Sequence, residues 1–134
     1  MIVVDTNIVA FFLIEGDKTA QVRRLWQIDA EWRLPRLWRH EFLNVLATYA
    51  RSGGMPPSDA RQLWHAAEAI FTISEVEVDM NAALELAIKY KISAYDAQFV
   101  ILAQALKTKL ITEDKLLIRR FPGLVYSLNN SIQQ

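Results

Sequence analysis

Met1-Ile2-Val3-Val4-Asp5-Thr6-Asn7-Ile8-Val9 is the stretch whose reading decides the fold. Three apolar residues, two of them β-branched, run directly into an aspartate. A short continuous apolar run suits a strand buried on both faces of a parallel sheet. Asp5 then falls at the strand's carboxyl end, where open α/β sheets bind their ligands. Thr6 and Asn7 favour helix starts, and an apolar helical run follows them. Asp5 therefore has two readings. It is either an acid displayed at a sheet edge or a turn aspartate that caps a helix.

Outward from this stretch, helical and extended patterns alternate. Phe11-Phe12-Leu13-Ile14 closes the first helix before Gly16-Asp17. Residues 18–30 carry Val22, Leu25 and Trp26 on one stripe. Arg33-Leu34-Pro35 reads as a short strand closed by proline. Residues 37–51 form a helix with Trp38, Phe42, Val45, Leu46 and Tyr49 inward, ended by the break at 52–57. The next helix, 58–71, is amphipathic, and Glu75-Val76-Glu77-Val78 alternates with the period of a partly exposed strand. Asp79 and Ser93 cap two further helices, the second with Asp96 as its capping-box acid. Leu110-Ile111-Thr112 and Leu124-Val125-Tyr126 are strands, with a short helix at 115–121 between them. The tail after Leu128 is expected to fray. The expectation is a single α/β domain over residues 1–134, with a parallel sheet of about five strands flanked by helices.

Composition narrows the function classes. With 52% hydrophobic and 22% charged residues, the chain is globular rather than disordered. It has no cysteine, so disulfides and thiolate metal sites are out, and a reducing cytoplasm is the expected location. No signal peptide or membrane-length apolar run is expected. Lys+Arg and Asp+Glu number 15 each, which argues against coating nucleic acid by bulk charge and leaves a small local site open. Four tryptophans are many for this length. They suggest core packing, and with the apolar helices they suggest more apolar surface than a monomer hides.

Most of the 15 acids suit a solvated face, but Asp5, Glu41, Asp96 and Asp114 do not. Asp5 ends a strand. Glu41 has Leu37, Trp38 and Val45 as one-turn neighbours. Asp96 shares a helix face with Phe99, Val100 and Ala103, and Asp114 follows a strand. Inward-facing carboxylates need compensation. Arg36, Arg39, Arg51 and Arg119 could provide it, or a divalent metal with oxygen ligands could. His40 projects about 100° around the helix from Glu41 and His65 lies beside the core stripe, so both are expected at the surface.

The chain resembles the PIN domain, and in particular the VapC-like toxin ribonucleases. Asp5-Thr6-Asn7 matches the family's opening motif, and Trp38-Arg39-His40-Glu41-Phe42 its second. Ser93-Ala94-Tyr95-Asp96-Ala97 matches the third, and Thr112-Glu113-Asp114 the fourth. The ordered set spans almost the whole chain, and no acid of the pattern is missing. The resemblance implies a PIN-like three-layer sandwich with the four acids gathered at the sheet's carboxyl edge. It implies Mg²⁺, with Mn²⁺ able to substitute, and hydrolysis of RNA phosphodiesters. Asp5 and Asp96 are then the direct metal ligands. Glu41 and Asp114 act through water or at a second ion, with Asn7 and Thr112 in support. It also implies a homodimer and a VapB-like antitoxin crossing an apolar groove near the third helix. A housekeeping RNA-processing nuclease and a non-catalytic PIN-fold binding module are the alternatives. A haloacid dehalogenase-type phosphatase needs an acid where Asn7 stands, and dinucleotide binding lacks its G-x-G-x-x-G.

Overall fold

A computed structural model describes residues 1–133. The elements run β1 (Ile2–Val4), α1 (Thr6–Leu13), α2 (Thr19–Ile28), β2 (Trp32–Arg33), α3 (Trp38–Ser52) and α4 (Pro57–Phe71). After a 3₁₀ turn (Thr72–Ser74) come α5 (Met80–Tyr90), α6 (Ala94–Leu106), β3 (Leu110–Ile111), α7 (Lys115–Arg120), β4 (Val125–Tyr126) and α8 (Leu128–Gln133). Among the described residues the strands form one sheet in the order β2-β1-β3-β4, parallel throughout. β1 pairs Ile2 with Trp32 on one side and Val4 with Ile111 on the other. The chain leaves β1 toward β2 and later returns to the opposite side at β3. This reversal opens a crevice at the carboxyl ends of β1 and β3.

Val3, Val4, Leu110 and Ile111 are essentially inaccessible, as expected of strands covered by helices on both faces. α6 packs on β1 and β3 and carries α5 on its outer side, where Ala83, Ala87 and Ala97 allow close approach. α1 packs against α2, α3 and α4. All four tryptophans belong to this interior. Trp26, Trp32, Phe12 and Phe71 form one aromatic cluster, and Trp38 joins it to Trp64. Trp32 and Trp38 are fully buried, and Trp26 and Trp64 are half-buried against the same core. The exposed apolar side chains lie elsewhere, notably Met80, Leu84 and Ile88 on α5 and Leu43 on α3.

The sheet is one strand smaller than expected. Glu75-Val76-Glu77-Val78 is extended but makes only a single parallel bridge, Leu34 to Glu75. Pro35 and the turn into α3 end the partner strand there, so the ladder has nothing to continue on. The alternation of half-buried Val76 and Val78 with exposed Glu77 is real, but it records one-sided burial rather than sheet pairing. The expected fraying after Leu128 is also corrected. Leu128 is fully buried and starts α8, which packs on α2. Tyr49, expected inward, is 45% exposed.

Candidate active site

β1 stops at Val4 and α1 begins at Thr6, so Asp5 occupies the junction, and both readings of it hold at once. Its Oδ1 caps α1 by accepting the Ile8 N–H at 3.2 Å. Its Oδ2 accepts a hydrogen bond from the Thr112 hydroxyl, which in turn accepts the Asp114 N–H at 3.0 Å. Thr112 is fully buried just beyond β3 and ties the two central strand ends together. Ser93 caps α6 by accepting the Asp96 N–H at 3.0 Å, which sets Asp96 in the first turn of that helix. Glu41 lies in the first turn of α3, and its Oε1 accepts a 2.6 Å hydrogen bond from the Thr6 hydroxyl.

Asp5, Glu41 and Asp96 face one cavity of about 270 Å³. Asn7, Thr6 and Asn44 add polar groups to its wall, and Val45 and Phe99 add apolar ones. Asp114 stands outside this lining. Its Oδ1 caps α7 by accepting from Leu116 and Leu117 at 2.9 and 3.2 Å, and its side chain is exposed. It is nevertheless near enough for its charge to act on Asp96.

Burial dominates the electrostatics. It pushes the Asp5 carboxyl up to about 6, against the lowering effect of the Thr112 and Ile8 hydrogen bonds. The charges of Glu41 and Asp96 add to the rise. Burial likewise raises Glu41, opposed by Thr6 and reinforced by Asp96. Asp96 is raised first by burial and then by the Asp114 charge, with Ser93 opposing. Each shift says that the ionised form is under-solvated and that neighbouring like charges make it worse.

Among the described residues no ion pair reaches any of these four acids. The arginines that the sequence offered as partners go elsewhere. Arg39 holds Glu75 at 2.6 Å and Glu68 at 3.4 Å, and Arg36 approaches Glu75 at 3.7 Å. Arg51 and Arg119 are exposed. Of the two forms of compensation left open by the sequence, the arginine one fails. No preformed cage of three or more metal-ligating side chains exists among the described residues. Mg²⁺ does not need one, because it keeps several waters and binds through one or two carboxylates. An all-oxygen donor set is the chemistry that Mg²⁺ and Mn²⁺ take, and the residues present fit such an ion.

Asn44 escaped the sequence reading of the site, and Thr6 and Val45 received no role there, Thr6 standing inside the opening motif and Val45 as a one-turn neighbour of Glu41. A hydroxyl beside an acid is a usual ligand-orienting group. Asn44 lies three residues beyond Glu41, the spacing that shares a helix face, so that spacing could have found it. His40 and His65 are exposed, and neither lines this cavity.

The PIN domain family matches this chain over residues 2–123. Ribonuclease VapC3 of Pyrobaculum aerophilum is 31% identical over 128 residues, covering 92% of this chain and 97% of that protein. The crystal structure of PAE2754 from Pyrobaculum aerophilum aligns with a TM-score of 0.78 at 18% identity. That alignment covers 98% of this chain and 86% of the other, and it establishes likeness of fold.

Proposed function

The chain belongs to the PIN-domain family, among its VapC-like members, and from that premise we propose that it is a Mg²⁺-dependent endoribonuclease neutralised by a cognate VapB-like antitoxin. One observation carries the reading. Asp5, Glu41 and Asp96 converge on a single cavity, burial raises the pKa of each, and among the described residues no cationic side chain pairs with them. A protein without a use for this arrangement would be more stable with one acid neutralised.

A bound divalent cation supplies Lewis-acid stabilisation of the phosphodiester and a lowered pKa for the attacking water. Asp5 and Asp96 hold the ion directly. Glu41 and Asp114 act through water or at a second ion. Thr112 fixes one Asp5 oxygen, and Thr6 fixes one oxygen of Glu41, which lines the cavity. Asn7 lies at the cavity wall, where its amide can donate to a phosphate oxygen. Mn²⁺ substitutes for Mg²⁺, since both accept carboxylate and water ligands.

Two surface features support the partner reading. An apolar groove of about 240 Å³ lies between α3 and α4, lined by Leu43, Leu46, Ala47, Ala60 and Trp64, and suits an antitoxin segment. Met80, Leu84 and Ile88 recur at four-residue spacing on α5, more than half exposed, and suit a homodimer contact. Among the described residues no helix is long and apolar enough to cross a membrane.

The test is induced expression followed by sequencing of new RNA 5′ ends, comparing wild type with Asp96→Asn. New ends at defined sites with wild type alone support the reading. Equal patterns from both proteins overturn it.

A further inference from the structure

A second cavity opens beside the acidic one. It measures about 350 Å³ and is walled by Phe11 and Ile14 of the α1 end, Lys18 and Asp17 of the following loop, and Tyr49 of α3. Asn7 and Val45 line both cavities, so the two adjoin. Along α3, Glu41, Val45 and Tyr49 follow at four-residue spacing, so one helix face runs from the acids to the tyrosine over roughly 12 Å. We infer that this second cavity is a base-binding subsite, in which Tyr49 stacks a nucleobase of single-stranded RNA next to the bond being cut. The inference rests on the nuclease reading above.

Three features favour a neutral heterocycle over a phosphate or an aliphatic side chain. Tyr49 is 45% exposed and stands at the wall of this cavity. A Cβ on Gly53 would come within 3.1 Å of its Cδ1, so the absence of a side chain there lets the ring lie against the helix end. A tyrosine has only two side-chain torsions to fix, so its ring loses little entropy on stacking. The charge at the rim disfavours an anion. Lys18 is engaged by Glu113 at 3.1 Å and Glu15 is approached by Arg23 at 3.4 Å, while the carboxylates of Glu15 and Asp17 both line the cavity. Those carboxylates accept hydrogen bonds and do not donate, which complements the N–H groups on the edge of a base. Aromatic stacking of bases tolerates sequence while adding substantial affinity.

The experiment uses single-stranded oligoribonucleotides cut by wild type, with an abasic residue placed in turn at each position flanking the cleaved bond. Cleavage is measured with Mg²⁺ for wild type, Tyr49→Ala, Tyr49→Leu and Tyr49→Phe. Wild type should lose roughly ten-fold in kcat/KM at one abasic position, the loss falling mainly in KM. Tyr49→Ala and Tyr49→Leu should cut the abasic and intact substrates equally, and Tyr49→Phe should keep the wild-type discrimination. Leucine preserves the apolar contact, so a folding defect confined to alanine is separated from loss of the ring. A wild type that cuts RNA but ignores every abasic position overturns the subsite alone, as does undiminished discrimination in Tyr49→Leu. A wild type that cuts no RNA overturns the nuclease reading and the subsite together.

Discussion

Two groups of acids, each met by a residue of α3, are treated in opposite ways. Glu75 is mostly buried and is gripped by the Arg39 guanidinium through two hydrogen bonds, at 2.6 and 3.1 Å. Arg39 also donates to Thr72 at 2.9 Å and lies over the Trp38 ring, so the cluster fastens α3 to the segment after α4. Two residues further along α3, Glu41 turns toward Asp5 and Asp96, and only hydroxyls and backbone N–H groups meet these three. Both groups remove charge from water. The first returns a matched countercharge and holds the fold together. The second leaves charge unmatched, which is a cost to folding and an invitation to a cation. α3 lacks a side-chain cap at its start, and backbone hydrogen bonds from Trp38 to Pro35, Arg39 to Arg36 and Glu41 to Leu37 close the turn that presents Glu41.

The comparison can be broken most sharply at the acids. Asp5→Asn and Asp96→Asn should each lower RNA cleavage by on the order of a thousand-fold, about 4 kcal/mol in barrier, with the fold retained. EDTA should abolish wild-type cleavage, and Mg²⁺ or Mn²⁺ should restore it. Cleavage by either purified variant at the wild-type rate sinks the assignment.

Next in size is the compensated pole. Arg39→Ala leaves the mostly buried Glu75 with only the longer 3.7 Å contact to the exposed Arg36 and should destabilise the protein by roughly 2 kcal/mol, read by urea unfolding. A change near zero would mean that the two poles do not differ.

The uncompensated pole should show the opposite sign. The folded-state pKa of Asp5 is raised from 3.8 to about 6. Its contribution to stability is fully present below the unfolded value and is lost as pH rises through about 6. Metal-free wild type should therefore weaken between about pH 4 and pH 7, and Asp5→Asn should flatten that profile. In EDTA near neutrality the variant should be the more stable by on the order of 2 kcal/mol. Thermal melting at several pH values checks this, and a wild type that gains stability over that range contradicts it.

Asp96→Asn sharpens the same contrast with a smaller effect. Relieving its repulsion with Asp114 and Asp5 should raise stability in EDTA by on the order of 1 kcal/mol. Saturating Mg²⁺ should then stabilise wild type more than the variant. A lower melting temperature in EDTA, with neither protein responding to Mg²⁺, would make Asp96 an ordinary capping acid.

The strongest elements were readable in one dimension because their causes are local. The apolar run before Asp5, the helical stripes of α3 and α4, and the caps at Asp79 and Ser93 depend on neighbours a few residues away. The segment at 75–78 misled because period-two burial does not reveal whether a partner strand continues past Pro35. The tail misled because the anchor for Leu128 is α2, about one hundred residues earlier in the chain. Tyr49 misled because helical spacing assigns a face and not what covers that face.

The α/β class and the parallel sheet were legible in the sequence alone, as were Asp5, Glu41, Asp96 and Asp114 as candidates, since strand tips, caps and motif order are written in local residue types. Tertiary structure alone decided which acids share a cavity. It placed Asp5, Glu41 and Asp96 together, set Asp114 at the side, and sent Arg36 and Arg39 to Glu75 instead. Those outcomes turn on distances between residues far apart in the chain, and carboxylate electrostatics depend on such distances and on burial, neither of which spacing along a chain contains.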